Sequence, residues 1–137
     1  MNFISTKQLT HRGVMNMLNA AIACAEEIGQ SQCIVIVDAS GVSLVEFRMT
    51  GAKYLSIDSA RNKARTAASI GAPSSNIPEA VRVHIGLATD GRVTGLTGGL
   101  PIICEGEVVG AIGIGSGTPD DDLAVAKAAL AAIEASV

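Results

Sequence analysis

Apolar residues recur along this chain with two periods, and the switches between those periods divide it into elements. Val14, Leu18, Ala21, Ala25 and Ile28 follow three- and four-residue spacing, the stripe of a helix with one buried face. Thr10 is placed to cap that helix and Gly29 to end it in a left-handed turn. The period then shortens. CIVIVD, residues 33–38, is an unbroken β-branched run of the kind covered on both faces of a sheet. Ala39-Ser40-Gly41 turns it into VSLVEFRM, residues 42–49, with Val45, Phe47 and Met49 on one face and Leu44, Glu46 and Arg48 on the other.

Helical spacing returns over about 55–70, with Ile57, Ala60, Ala64 and Ala67 inward and Gly71 after them. GAPSSN is a turn-rich connection, and Pro78 opens a short helix expected to run through about Leu87. A weak strand is predicted at RVTGL, residues 92–96. LPIIC and EVVGAIGI flank Glu105-Gly106, a strong hairpin signal. Thr118 then caps a last helix, with Pro119 in its first position and Leu123, Ala126, Leu130 and Ile133 as its stripe. Together these elements predict one α+β domain over residues 1–137, an antiparallel sheet with flanking helices.

Composition narrows the picture. Hydrophobic residues make up 48% and aromatics only 2%, so the core must be built from Ala, Val, Ile and Leu. That much small apolar surface in a 137-residue chain points to burial between subunits, and a homo-oligomer is expected. The net charge is −3 and no basic run exists, which argues against nucleic acid as a partner. The N-terminal MNFISTKQLTH has no apolar core of signal-peptide length and no later run approaches the ~20 residues of a membrane span, so a cytoplasmic protein with no membrane partner is expected. Cys24, Cys33 and Cys104 form no CxxC and read as small hydrophobes in a reducing compartment.

The motifs that invite chemistry mostly fail on physical grounds. Gly113-x-Gly115-x-Gly117 has neither dinucleotide nor P-loop spacing, and Asp120, Asp121 and Asp122 stand where a phosphate would need positive potential. Adjacent aspartates on a helix diverge by about 100°, so they read as complements of the helix dipole, and no metal is expected. His11 and His84 lack metal-site spacing. On the second helix, Arg61 and Lys63 flank the apolar stripe on opposite sides, with Asp58 in reach of Arg61. A cation so placed either snorkels to solvent or projects into a pocket to hold an acid group. Arg48 adds a cation beside Glu46.

Four stretches in order resemble the GlcG/HbpS family, which includes the C-terminal domain of PduO-type proteins. They are Asp38-Ala39-Ser40-Gly41; Ile57 to Ala64 (IDSARNKA) with Thr66-Ala67; Gly98-Gly99-Leu100-Pro101-Ile102; and Gly106 to Ile114 (GEVVGAIGI). The resemblance spans essentially the whole chain. It implies a profilin-like fold, a homo-oligomer, and association with haem or related tetrapyrroles in some members. Others stand beside catabolic enzymes for glycolate or diols.

Three readings stay open. One is a small-ligand binder whose tetrapyrrole is held by cations, with His11 or His84 as candidate haem ligand. Another is a catabolic enzyme or accessory acting on a small hydroxy or oxo acid by proton transfer, with Lys63 or Glu79 as catalytic candidates. The third is an oligomeric scaffold with no small ligand. The pocket is expected between the second helix and the Gly98–Pro101 turn, lined by Arg48, Lys63, Thr66, Gly98, Gly99 and Pro101. Lys63 would be the main anion contact, and a valine at Gly99 would fill the site without unfolding the domain.

Overall fold

A computed structural model describes residues 1–134. Four α-helices and four strands alternate along the chain: α1 (His11–Ile28), β1 (Cys33–Asp38), β2 (Ser43–Arg48), α2 (Ser56–Ile70), α3 (Arg82–Ala88), β3 (Gly99–Cys104), β4 (Glu107–Gly115) and α4 (Pro119–Glu134). The strands form one antiparallel sheet in the order β2-β1-β4-β3. This is the α+β architecture that the alternating periods predict.

The alternation of β1 explains the layering. Ile34 and Ile36 point into a core with Val14, Met17 and Leu18 of α1 and Val125 and Ala126 of α4. Cys33, Val35 and Val37 point the other way, against Ala60, Ala64 and Ala67 of α2. The sheet is therefore sandwiched, with α1 and α4 on one face and α2 on the other. The caps form as predicted: the Gly13 N–H donates to Thr10 Oγ1 at 3.1 Å, and Gly29 ends α1 at φ +74°. Glu105 and Gly106 take φ +50° and +78°, as a two-residue hairpin requires.

Glycine sets the distance between α2 and the sheet. Gly113 on β4 pairs across to Gly99 on β3, and a Cβ on either would overlap a backbone carbonyl of α2, that of Ala60 or that of Lys63. The helix backbone thus rests directly on the strands.

Three expectations need correcting. The segment 92–96 is not a strand; the Thr94 N–H donates to Thr66 Oγ1 at 3.0 Å, so this stretch lies on α2 instead of pairing at a sheet edge. The helix after Pro78 is broken into a 3₁₀ turn, Glu79–Val81, and α3, which runs one residue beyond Leu87. Asp122 is not a surface complement of the α4 dipole, because it is 3% exposed and turned inward.

Candidate functional site

The space between α2 and the Gly98–Pro101 turn is filled. Lys63 is 5% exposed, and its ammonium donates to Asp122 Oδ2 at 2.8 Å and to the Ile114 carbonyl at 2.7 Å. The other oxygen of Asp122 accepts the Gly117 N–H at 3.1 Å. Lys63 therefore ties α2 to β4 and α4. Gly99 lies against the Lys63 carbonyl, so a valine there would displace the helix rather than fill a pocket. The left-handed φ belongs to Gly98, at +124°, whose carbonyl accepts the Ile114 N–H at 3.0 Å. Pro101 is half-buried on β3, paired with Ala111. Thr66 is fully buried, donating to the Asn62 carbonyl at 2.7 Å and accepting from Thr94.

The remaining sequence candidates stand apart. Arg48 is exposed on β2, opposite Cys33 in register, and Glu79 is exposed on its 3₁₀ turn. His11 begins α1 on one side of the sheet, whereas His84 is exposed on α3, beyond α2 on the other side. Within one chain they cannot hold a ligand together. Among the described residues, no three His, Cys, Asp or Glu side chains converge as metal ligands. Burial pushes the thiols of Cys33 and Cys24 up from their ordinary range, as expected of cysteines used as hydrophobes.

Open space lies instead on the outer face of α2. A cleft of ≈ 1110 Å³ is bounded by the β1–β2 turn, by Arg61, Arg65 and Ser69 of α2, and by Ala88, Thr89 and Arg92 at the end of α3. Arg61, Arg65 and Ser69 are four residues apart and so share one helix face. That spacing is the signal the sequence carries for this site; Arg65 and Arg92 stand farther from the apolar stripe than the expected anion contact, Lys63, and are not among the residues the sequence points to.

The three cleft arginines are not equivalent. Arg61 is locked by Glu46, Nε to Oε2 at 2.6 Å and Nη2 to Oε1 at 3.0 Å, and by Asp58 at 2.9 Å. Donating to Glu46 raises the Arg61 pKa above the ordinary value, against the opposing effect of burial, and Asp58 adds to the rise. Arg65 makes one long contact, Nε to the Gly41 carbonyl at 3.5 Å. The guanidinium of Arg92, on an exposed loop, has no hydrogen bond or ion pair among the described residues.

A second, shallower cleft of ≈ 570 Å³ follows α3 and the loop after it. Its apolar walls are Val83, Leu87 and Leu96, exposed by 71%, 78% and 55%, with Gly86, Gly91 and Gly95 between them, and Arg82, Asp90 and Thr94 also line it. Side chains this apolar are seldom left so open without a partner. Val93 lines both clefts, so the apolar shelf and the arginine cleft adjoin. No helix among the described residues is long and apolar enough to cross a membrane.

Comparison with known proteins agrees with this architecture. The chain is 33% identical, over 89% of its own length and 89% of the relative's, to an uncharacterized 15.0 kDa protein in the dhaT-dhaS intergenic region of Citrobacter freundii. The Klebsiella pneumoniae protein ORFY superposes with a TM-score of 0.92 at 31% identity, covering 98% of this chain and 97% of that one. The crystal structure of a PduOC:heme complex superposes with a TM-score of 0.86 at 26% identity, covering 92% and 95%. A model of the family described as haem degrading protein HbpS-like matches residues 9–131, and the chain belongs to that HbpS-like family.

Proposed function

We propose that this chain binds haem or a related tetrapyrrole on the apolar shelf of α3, with Arg92 holding an acid group at its edge. The observation that carries this reading is adjacency: a glycine-spaced apolar surface meets an uncompensated arginine at Val93. A planar macrocycle with an apolar face and carboxylates along one edge is complementary to that combination. The fit is made by Val83, Leu87 and Leu96 against the ring and Arg92 against a carboxylate. The relative solved in complex with heme supports the same ligand class. His84 is exposed on α3 next to Val83 of the shelf; it lines neither cleft, so it could serve as axial ligand from this chain only by swinging its side chain over the shelf edge. His11, across the sheet, would reach such a ligand only from a second copy. The proton-transfer reading finds no support here, since Lys63 is engaged by Asp122 and Glu79 lines neither cleft.

A homo-oligomer belongs to the same proposal. Leu44 (42%) and Phe47 (38%) are exposed on the edge strand β2, with Val42 (61%) just before it, and that edge still has unpaired backbone groups to offer. Three free cysteines fit a reducing, cytoplasmic setting. Light scattering should give a mass above that of a 13.9 kDa monomer.

Haem titration followed in the Soret region tests the ligand. Saturable binding is expected, and Leu87→Lys with Leu96→Lys should weaken it about tenfold or more, since each leucine contributes about 1.5–3 kcal/mol when covered. His84→Ala and His11→Ala, compared by Soret position, assign the axial ligand. A wild-type protein that leaves the haem spectrum unchanged, or a double lysine variant that binds as well as wild type, would sink the proposal.

A further inference from the structure

The geometry points to a second binding site that needs no tetrapyrrole: the arginine cleft on the outer face of α2 takes a small multivalent oxyanion whose carrier bears hydroxyl groups. The chain as a whole is acidic at −3, yet the cleft lining holds three arginines against one carboxylate, that of Glu46. Glu46 is committed to Arg61 through both its oxygens, so this pair forms a neutral wall. Two cations remain, Arg65 and Arg92. Guanidinium groups with open donors bind carboxylates and phosphates through paired hydrogen bonds.

The fold presents these cations deliberately. Thr66 holds the loop onto α2, bonding the Arg92 carbonyl at 3.2 Å and the Thr94 N–H at 3.0 Å, which fixes the backbone of Arg92 beside the helix that carries Arg65. Thr66 is thus a positioning residue for the cleft. Asp38, where β1 enters the turn, directs one oxygen into the turn itself: Oδ1 accepts the N–H groups of Ser40 and Val42 at 2.9 and 3.0 Å, and Asp38 is not among the residues that line the cleft.

A bulge in β2 completes the lining. Ile36 pairs with Val45 but Val37 pairs with Ser43, so Leu44 is the extra residue. In a regular strand Ser43 would point with Val45 toward α1 and α4; the bulge re-aims it to the α2 side, where it joins Glu46 in the cleft. The hydroxyls of Ser40, Ser43 and Ser69 all border the cleft and make no hydrogen bonds among the described residues. Free hydroxyls around free guanidinium groups match a hydroxylated oxyanion. At ≈ 1110 Å³ the space exceeds what a bare inorganic anion fills.

Isothermal titration at low ionic strength, with inorganic phosphate in one arm and malate in the other, tests the site. Saturable binding of at least one probe, one per chain, is expected. Arg65→Ala and, separately, Ser69→Glu should weaken it about tenfold or more. Lys127→Ala, which removes the same charge from exposed α4 across the sheet, should leave it unchanged. Arg65→Lys, keeping charge but not the fork, should fall between. Thermal melts check that each variant is folded. A response to phosphate alone assigns a phosphate ester, and a response to malate a hydroxylated dicarboxylate; either supports the site. No saturable binding of either probe, or equal losses in Lys127→Ala and Arg65→Ala, would overturn it. The Leu87→Lys, Leu96→Lys variant should keep its anion binding, so failure of the haem proposal and failure of this one are separate results.

Discussion

Lys63 and Arg65 are two residues apart on α2 and have opposite fates. Lys63 faces inward, 5% exposed, its charge met by Asp122 and its stem laid against the sheet. Arg65 faces outward, holds one weak contact, and borders open space. Both are cations flanking one alanine stripe. What separates them is how closely the backbone behind them approaches the sheet. On the inner side, glycines at 99 and 113 let α2 sit so low that its backbone carbonyls rest against the strands. On the outer side, the β1–β2 turn and the end of α3 stand off from the helix and leave a cleft. A cation can serve a ligand only where the fold has not already used it.

The strongest test of this contrast is Gly113→Val. Its side chain would have to occupy the place of the Ala60 carbonyl, so α2 must lift off the sheet. Overpacking against backbone cannot relax by a change of rotamer, and a loss of more than about 4 kcal/mol is expected. Urea denaturation should show either a sharply lowered midpoint or no cooperative transition. A near-native midpoint would mean that α2 is less tightly seated than the inner-face account requires.

Next in size is Asp122→Ala. It strands the Lys63 ammonium at a buried position and should cost about 3–5 kcal/mol. Replacing both partners, as Lys63→Met with Asp122→Leu, should recover much of that loss, because the desolvation cost goes with the charges. If the double variant is no more stable than Asp122→Ala alone, the loss comes from the bonds to the Ile114 carbonyl and the Gly117 N–H and not from a stranded charge.

Much of the fold was legible because it follows from period and punctuation. The α1 stripe, its Thr10 cap and Gly29 stop, the doubly covered β1 and the Glu105-Gly106 hairpin all depend on neighbours within a few positions. The site was less legible because it depends on long-range pairing. Asp122 lies 59 residues from Lys63, and in sequence it resembles its neighbours Asp120 and Asp121. The Leu44 bulge, which turns Ser43 toward α2, leaves no mark in a strand that alternates well on paper. The four-residue spacing of Arg61, Arg65 and Ser69 was visible, but nothing local distinguishes a cleft wall from an ordinary solvated face.

The smallest effect is the most specific to the outer side. Glu46→Gln keeps a hydrogen-bond acceptor for Arg61 but removes the only carboxylate that lines the cleft among the described residues. Glu46 and Arg61 are about a third and a quarter exposed, at 31% and 25%, so solvent screens their attraction. Stability should therefore fall by less than about 1 kcal/mol. The cleft meanwhile gains one net positive charge, since Arg61 keeps only Asp58 as a charged partner. An oxyanion bound nearby should then be held several-fold more tightly at low salt, and that gain should shrink as ionic strength rises and the Debye length falls to about 8 Å. The inner side predicts the reverse: neutralising Asp122 costs stability and creates no site, because Lys63 is buried there with its ammonium bonded to the Ile114 carbonyl and the α2 backbone lies against Gly99 and Gly113. Titrating phosphate and malate against Glu46→Gln, at two salt concentrations and beside a thermal melt, separates the two sides in one experiment. Unchanged anion affinity in a stable Glu46→Gln variant would show that Glu46 does not set the potential of the cleft.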